Sequence, residues 1–150
     1  MSGTSLREEV ECFLQEKIPL TRAMGVRVAE IKPLTIEAPV ALNLNHLQTA
    51  FGGSINAVAT LAAYAFLWLE LRAPSAYVVV SESSIKFRRP VVENIRAICL
   101  SPDDAELSAL KATLAANGRA RIRLQVLVKE NGETAAEFEG EFVAIRPLKL

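Results

Sequence analysis

Ten consecutive residues gather many of the groups in this chain that can do chemistry: Asn45-His46-Leu47-Gln48-Thr49-Ala50-Phe51-Gly52-Gly53-Ser54. His46 is the only histidine, hence the only side chain whose ordinary pKa lies near neutrality. It is a candidate general base, or a loop residue that holds backbone by hydrogen bonds. Asn45 offers an amide that can orient a water or a carbonyl. Gly52-Gly53 opens an apolar run, Ile55 to Leu69, rich in Ala and Leu and free of Gly and Pro. Such a run reads as a helix. The first N–H groups of a helix have no intrahelical partner. With no side chains in the way, a carbonyl or an anion can approach them closely, as in an oxyanion hole. The plainer alternative is a glycine pair needed for tight helix entry. Asn56 and Thr60 are the run's only polar residues, and their spacing of four puts both on one face.

A second set of groups lies in Tyr77–Phe87, a strand-like segment led by Val78-Val79-Val80. If Glu82 points inward with Val78 and Val80, it is a buried acid able to activate water; otherwise it is a solvated strand residue. Strict alternation puts Ser81 and Ser83 on the other face, unless a bulge intervenes. Lys86, Arg88 and Arg89 close the segment and suit phosphate contacts. Arg119, Arg121 and Arg123 offer a second such set, or a solvated face paired with glutamates. Tyr64, Phe66 and Trp68 read most simply as core.

Whole-chain properties narrow the function classes. The length of 150 residues suits one domain, 1–150, with a sizeable core. Seventeen Lys and Arg balance seventeen Asp and Glu, so no net charge draws in nucleic acid or a membrane surface. A hydrophobic fraction of 51% is high and points to surface buried in an oligomer. Cys12 and Cys99 form no metal or redox spacing, as expected of reduced thiols in a cytoplasmic protein; no metal site is expected. Arg7, Glu8, Glu9 and Glu11 rule against a signal peptide. The compact apolar run, Ile55 to Leu69, falls short of the roughly 20 residues a bilayer needs, so a core helix is expected in place of a membrane span.

These residues need elements to position them. Ser5–Glu16 reads as an amphipathic helix, capped by Thr4 or Ser5 and ended by Pro19, with 18–25 as a connector. Val26–Leu44 reads as a long bent or edge strand interrupted by Pro33 and Pro39. The central helix, about 55–71, is stopped by Arg72-Ala73-Pro74-Ser75. Val91–Leu100 is a strand. Ser101-Pro102-Asp103-Asp104 starts a helix that stops at Asn117-Gly118. Arg119–Lys129 alternates strictly, Asn131-Gly132 is a hairpin turn, and Thr134–Ile145 returns, placing an Arg-rich face against a Glu-rich one. A helix apolar all round, followed by hairpin-joined strands, asks for an α+β fold with a curved antiparallel sheet wrapped around it.

Three segments carry a family resemblance: Ile18-Pro19-Leu20-Thr21-Arg22-Ala23-Met24-Gly25, then Asn45 through Ser54, then Ile85-Lys86-Phe87-Arg88-Arg89-Pro90. Over nearly its whole length the chain resembles the hotdog-fold thioesterases, most closely the YiiD C-terminal type. The resemblance implies a sheet wrapped around the central helix, homodimers or tetramers built by pairing sheets, and sites at the dimer interface. It implies hydrolysis of an acyl-CoA or acyl carrier protein thioester, with coenzyme A entering as substrate and no separate cofactor. The chain is also similar to the phenylacetate-type branch, whose motif has Asn, a Gly-Thr pair, His-Gly-Gly and an acid seven positions later. Asn45, Thr49 and Gly52-Gly53 match in register. Gln48 replaces the Gly, Phe51 the His, and Thr60 the acid. An acid at 60 would act as nucleophile or base; Thr60 can only position water or the thioester. Taken together, the residue chemistry and the resemblance give a candidate catalytic set of Asn45, His46, Gly52, Gly53, Thr60 and Glu82, with Phe51, Asn56, Ser81, Ser83, Arg88 and Arg89 around the substrate. The alternative is a non-catalytic acyl-thioester binding or assembly module that lacks the acid. A dehydratase is weaker, for want of a His-plus-acid pair.

Overall fold

One helix, α3 (Gly52–Glu70), is buried along most of its length, and the other elements arrange themselves around it. The structure, a computed structural model, describes residues 3–72 and 76–147. Its six strands form one antiparallel sheet: β1 (Arg27–Ile31), β2 (Leu34–Ala38), β3 (Tyr77–Phe87), β4 (Ile95–Cys99), β5 (Arg119–Glu130) and β6 (Glu133–Ile145). Their spatial order is β1-β2-β4-β5-β6-β3. The remaining helices are α1 (Leu6–Lys17), α2 (Leu20–Met24) and α4 (Asp104–Asn117).

Ile55, Val58, Ala59, Leu61, Ala62, Ala63, Ala65, Phe66 and Leu67 bury three sides of α3. Small Ala side chains let the helix sit close to the sheet, where Phe138 and Phe142 fill the larger spaces. A fourth stripe, Gly53, Asn56, Ala57, Thr60, Tyr64 and Trp68, faces away from the sheet and is less buried. Helix α1 covers its far end. There the Phe13 ring stacks on Trp68 at 4.3 Å and on Tyr64 at 6.0 Å, within the range of favourable aromatic pairs. Among the described residues α3 alone is long and apolar enough to cross a membrane, and it is the core helix of the fold.

Several boundaries differ from the sequence reading. Val26–Leu44 is a hairpin, β1 and β2, followed by a 3-10 turn at Val40–Leu42. Pro33 falls in the turn and Pro39 ends β2, so the prolines separate elements where a bend within one strand was expected. The connector 18–25 holds the short helix α2, closed by Gly25 at φ 70°. Helix α3 starts at Gly52, so both glycines belong to its first turn. Strand β4 is shorter than Val91–Leu100. Within Ser101-Pro102-Asp103-Asp104 it is Asp103 that caps α4, by accepting from the Glu106 N–H at 2.8 Å, the usual side-chain cap of a helix start. Of the expected stop at 72–75, residues 73–75 lie outside the described residues.

The two sheet edges are finished differently. Along β1 lies α1, and the Glu11 carboxylate accepts from the Val28 N–H at 3.1 Å. Along the free edge of β3 no described element pairs. Tyr77, Val79, Val80 and Phe87 are exposed there.

Candidate functional site at the N-terminus of the central helix

The approach to α3 is a loop organised by one side chain. Asn45 Oδ1 accepts from the N–H groups of Leu47 (2.8 Å) and Thr49 (3.1 Å). Its Nδ2 donates to Thr49 Oγ1 (2.8 Å) and to the Ala50 carbonyl (3.4 Å). Asn45 is thus engaged at both ends of its amide, inside the loop. The turn it holds puts Gln48 at φ 63°, in the left-handed region that favours glycine. That is the position at which the phenylacetate-type motif carries Gly. His46 lies exposed in the same loop, and among the described residues no hydrogen bond involves it.

Two backbone bonds then fix the helix entry. The Ala50 N–H donates to the Val91 carbonyl at 2.8 Å, and the Phe51 N–H to the Asn43 carbonyl at 2.7 Å. Phe51 is the residue before the first turn and supplies no side-chain cap. Its carbonyl accepts from Ile55, while among the described residues no acceptor meets the N–H groups of Gly52, Gly53 or Ser54. Such donors are the ordinary orphans of a helix start. Both glycines have phenyl rings where side chains would stand. A Cβ on Gly53 would lie 2.5 Å from the Phe51 ring, and one on Gly52 3.3 Å from the Phe87 ring. Each ring is about half exposed, 55% and 52%. The helix N-terminus thus presents free donors and partial positive charge between two apolar walls.

One turn further in, the Asn56 side chain forms no hydrogen bond among the described residues, and its Oδ1 is sealed from solvent without a donor. The Thr60 hydroxyl donates to the Asn56 carbonyl at 2.8 Å. Gly53, Asn56 and Thr60 lie on one helix face, as their spacing predicts.

Strand β3 departs from simple alternation. A bulge between Val80 and Glu82 shifts its register on β6. Before it, Val78 and Val80 oppose the inward residues Ala144 and Phe142; after it, Ser83, Ile85 and Phe87 oppose Gly140, Phe138 and Ala136. Ser83 therefore joins the inward set and Glu82 leaves it. Glu82 is 65% exposed and pairs with Arg123 at 2.6 Å, so an inward, buried Glu82 is not what this fold contains. Ser81 occupies the bulge and donates to Glu141. Arg121 and Arg123 pair with Glu141 (2.7 Å) and Glu139 (3.1 Å), giving the expected charged ladder. Ion pairing with Arg121 and the Ser81 hydrogen bond hold the Glu141 carboxyl below the usual range. Arg88 and Arg89, just past β3, are exposed and pair with Glu137 and Glu133.

The structure brings Phe51, Gly52, Gly53 and Asn56 to the start of one helix, with Thr60 on the same face about one turn further along, near the helix middle. It places Glu82 on the outer face of the sheet and leaves His46 exposed in the loop. Phe87, which lies against Gly52, escaped the sequence reading. Its parity depends on the bulge upstream at Ser81, and nothing in the local residue types announces that bulge.

Six antiparallel strands curved around one buried helix constitute the hotdog fold, and the donor-rich start of that helix is this molecule's candidate site. Residues 7–146 match the family described as "Putative thioesterase (yiiD_Cterm)", and the chain belongs to that family. Solved structures agree. A protein of unknown function from Chlorobaculum tepidum superimposes with a TM-score of 0.88 at 26% identity over 95% of both chains. A putative thioesterase from Shewanella oneidensis gives 0.82 at 24% identity, covering 95% of this chain and 98% of that one. A Bacillus halodurans protein solved with CoA gives 0.67 at 19% identity, over 91% and 84% respectively.

Proposed function

We propose that this protein hydrolyses an acyl thioester of coenzyme A or of acyl carrier protein at the N-terminus of α3. The observation that carries this reading is the set of unpartnered first-turn N–H groups at Gly52 and Gly53, walled by Phe51 and Phe87. Such donors meet the oxygen of a thioester carbonyl and stabilise the charge that develops on it when water adds; losing one costs about a hundred- to a thousand-fold in rate. Membership of a thioesterase family and the likeness to a fold solved with CoA support the substrate class. Arg88 and Arg89 can exchange their glutamate partners for CoA phosphates.

The active form in this reading is a cytoplasmic homodimer. Its support is the contrast between the sheet edges. Strand β1 is covered by α1 and Glu11, while the whole of β3 offers an unpaired edge with exposed Tyr77, Val79 and Val80. Pairing two β3 strands would bring a second chain beside Phe87 and the start of α3.

A thiol-release assay over butyryl-, octanoyl- and palmitoyl-CoA tests the reading. Turnover is expected with at least one, and Gly53→Pro, which deletes an N–H and pushes the Phe51 ring aside, should abolish it while part of the binding remains. Binding without turnover for every acyl-CoA would overturn it. One observation favours a second reading, a non-catalytic acyl-thioester module: Thr60 occupies the acid's position and spends its hydroxyl proton on the Asn56 carbonyl. Thr60→Asp separates the two. Hydrolysis gained only in that variant establishes a sound scaffold that lacks its acid.

A further inference from the structure

Three polar residues are buried among the described residues: Thr21, Thr35 and Asn43. Two of them serve their own neighbourhood. The Thr21 hydroxyl donates to the carbonyls of Leu14 and Ile18, and the Thr35 hydroxyl to that of Pro33. Asn43 differs. It is 4% exposed, and its Nδ2 donates to carbonyls from two separate elements. One belongs to Met24, the last residue of α2, at 3.0 Å; the other belongs to Pro39, which ends β2, at 2.8 Å. Both hydrogens of the amide nitrogen are thereby used. The Met24 carbonyl is a helix-end acceptor, which has no donor within its own helix.

The backbone of the same residue reaches the candidate site. The Asn43 carbonyl accepts from the Phe51 N–H at 2.7 Å, and Phe51 immediately precedes the first turn of α3. Phe51 in turn anchors that turn: its carbonyl accepts from Ile55, and its ring stands beside Gly53. The neighbouring bond, from the Ala50 N–H to the Val91 carbonyl, ties the helix entry to the lead-in of β4. Asn43 ties it to α2 and β2. With one of these two ties gone, the entry can swing about the other. N–H groups stabilise a developing oxyanion only when they are aimed at it, and a misplacement of about 1 Å can cost about a hundred-fold in rate.

We propose that Asn43 is a positioning residue for the carbonyl site: its side chain clamps the ends of α2 and β2, and its carbonyl, through Phe51, sets the direction of the Gly52 and Gly53 N–H groups. This rests on the hydrolytic reading above. In this role Asn43 touches no reacting atom, so its loss is felt in kcat and spares binding of the acyl-CoA. The charged residues of the two elements it joins, Arg22 on α2 and Glu37 on β2, are not among its hydrogen-bond partners, and Glu37 pairs with Arg96.

The test uses the full chain, steady-state thiol release from the acyl-CoA turned over fastest, binding of that acyl-CoA's analogue with methylene in place of sulfur, and circular dichroism to follow folding. Asn43→Asp keeps the side-chain shape, but only its protonated form can donate, and burial raises its pKa above the ordinary carboxylate value of about 4. Its kcat is expected to fall about ten- to a hundred-fold as pH rises through that pKa, on a protein that stays folded, with analogue affinity within about twofold of the unaltered enzyme. The unaltered enzyme should lack that limb. Asn43→Ala, which donates at no pH, should show the loss at every pH and serves if the aspartate variant folds poorly. Full kcat in Asn43→Ala, a pH profile of Asn43→Asp that matches the unaltered enzyme, or a loss confined to KM overturns the proposal. Unfolding of both variants at every pH also overturns it, by making Asn43 a purely structural group. If Gly53→Pro is inactive while both Asn43 variants are fully active, the positioning role falls and the carbonyl site stands. If the unaltered protein binds the analogue and hydrolyses nothing, both readings fall together.

Discussion

At the scale of single residues, the loop before α3 accounts for two of the three departures from the phenylacetate-type motif. Gln48 adopts a left-handed backbone, which costs a side-chain-bearing residue about 1–2 kcal/mol. Gln48→Gly is therefore expected to raise stability by up to about 1 kcal/mol, read as a higher melting temperature with turnover unchanged. Phe51 stands where the motif has His. Its ring rests on Gly53, so the site is walled at that position by a group that does not titrate. Asn45 matched the motif by position, yet its amide makes four hydrogen bonds inside the loop. Asn45→Ala should lower stability by about 1–3 kcal/mol, measured by denaturant unfolding, with the loss in activity following the loss of the loop. Buried Cys99 has its thiol pushed up to about 12 by desolvation. In the unfolded chain the same thiol ionises near its ordinary 9.0. Its contribution to stability is complete below that value and is lost as pH rises through it toward 12. A thiol reagent near neutral pH is expected to modify the exposed Cys12 alone in the native state and both cysteines once the chain is unfolded.

At the scale of elements, patterning reveals most of the sheet and much less of the site. The alternation Ala120-Ile122-Leu124-Val126-Val128 maps onto the inward face of β5, and those side chains are buried. The all-round apolar run became the core helix, because only a fully enclosed position satisfies it. Pattern fails where one inserted residue changes parity. In β3 the bulge after Val80 exchanges Glu82 for Ser83 on the inner face, so an acid expected at the site is instead an outer-face partner of Arg123. It fails again where backbone hydrogen bonds decide, as in the break of 26–44 into two strands. The unpartnered state of Asn56 depends on what surrounds it and has no signature in residue type. Packing also makes Gly140 informative: a Cβ there would lie 2.9 Å from the Phe142 ring and 3.0 Å from Phe138. Gly140→Val should be among the most damaging single changes in the sheet, about 1–3 kcal/mol by thermal or denaturant unfolding, because both rings must leave their rotamers.

At the scale of the whole molecule, the two edges of the sheet behave as opposites. In the proposed reading, a double variant with lysines at Val79 and Val80 should be monomeric by sedimentation and inactive, because the site opens beside that edge. The finished β1 edge has a further consequence. A sheet with two bare edges can add copies at both ends and grow without limit. This sheet carries an end-stop built from a single helix: α1 lies along β1, and the Glu11 carboxylate occupies the Val28 donor. Any pairing through β3 between two copies uses up the one adhesive edge of each, so the ribbon terminates after one joint. In such a pairing the stop on further growth is the same helix whose Phe13 closes the far end of the central stripe. Glu11→Ala should release that stop. Rising turbidity and fibril-dye binding at high concentration would reveal it.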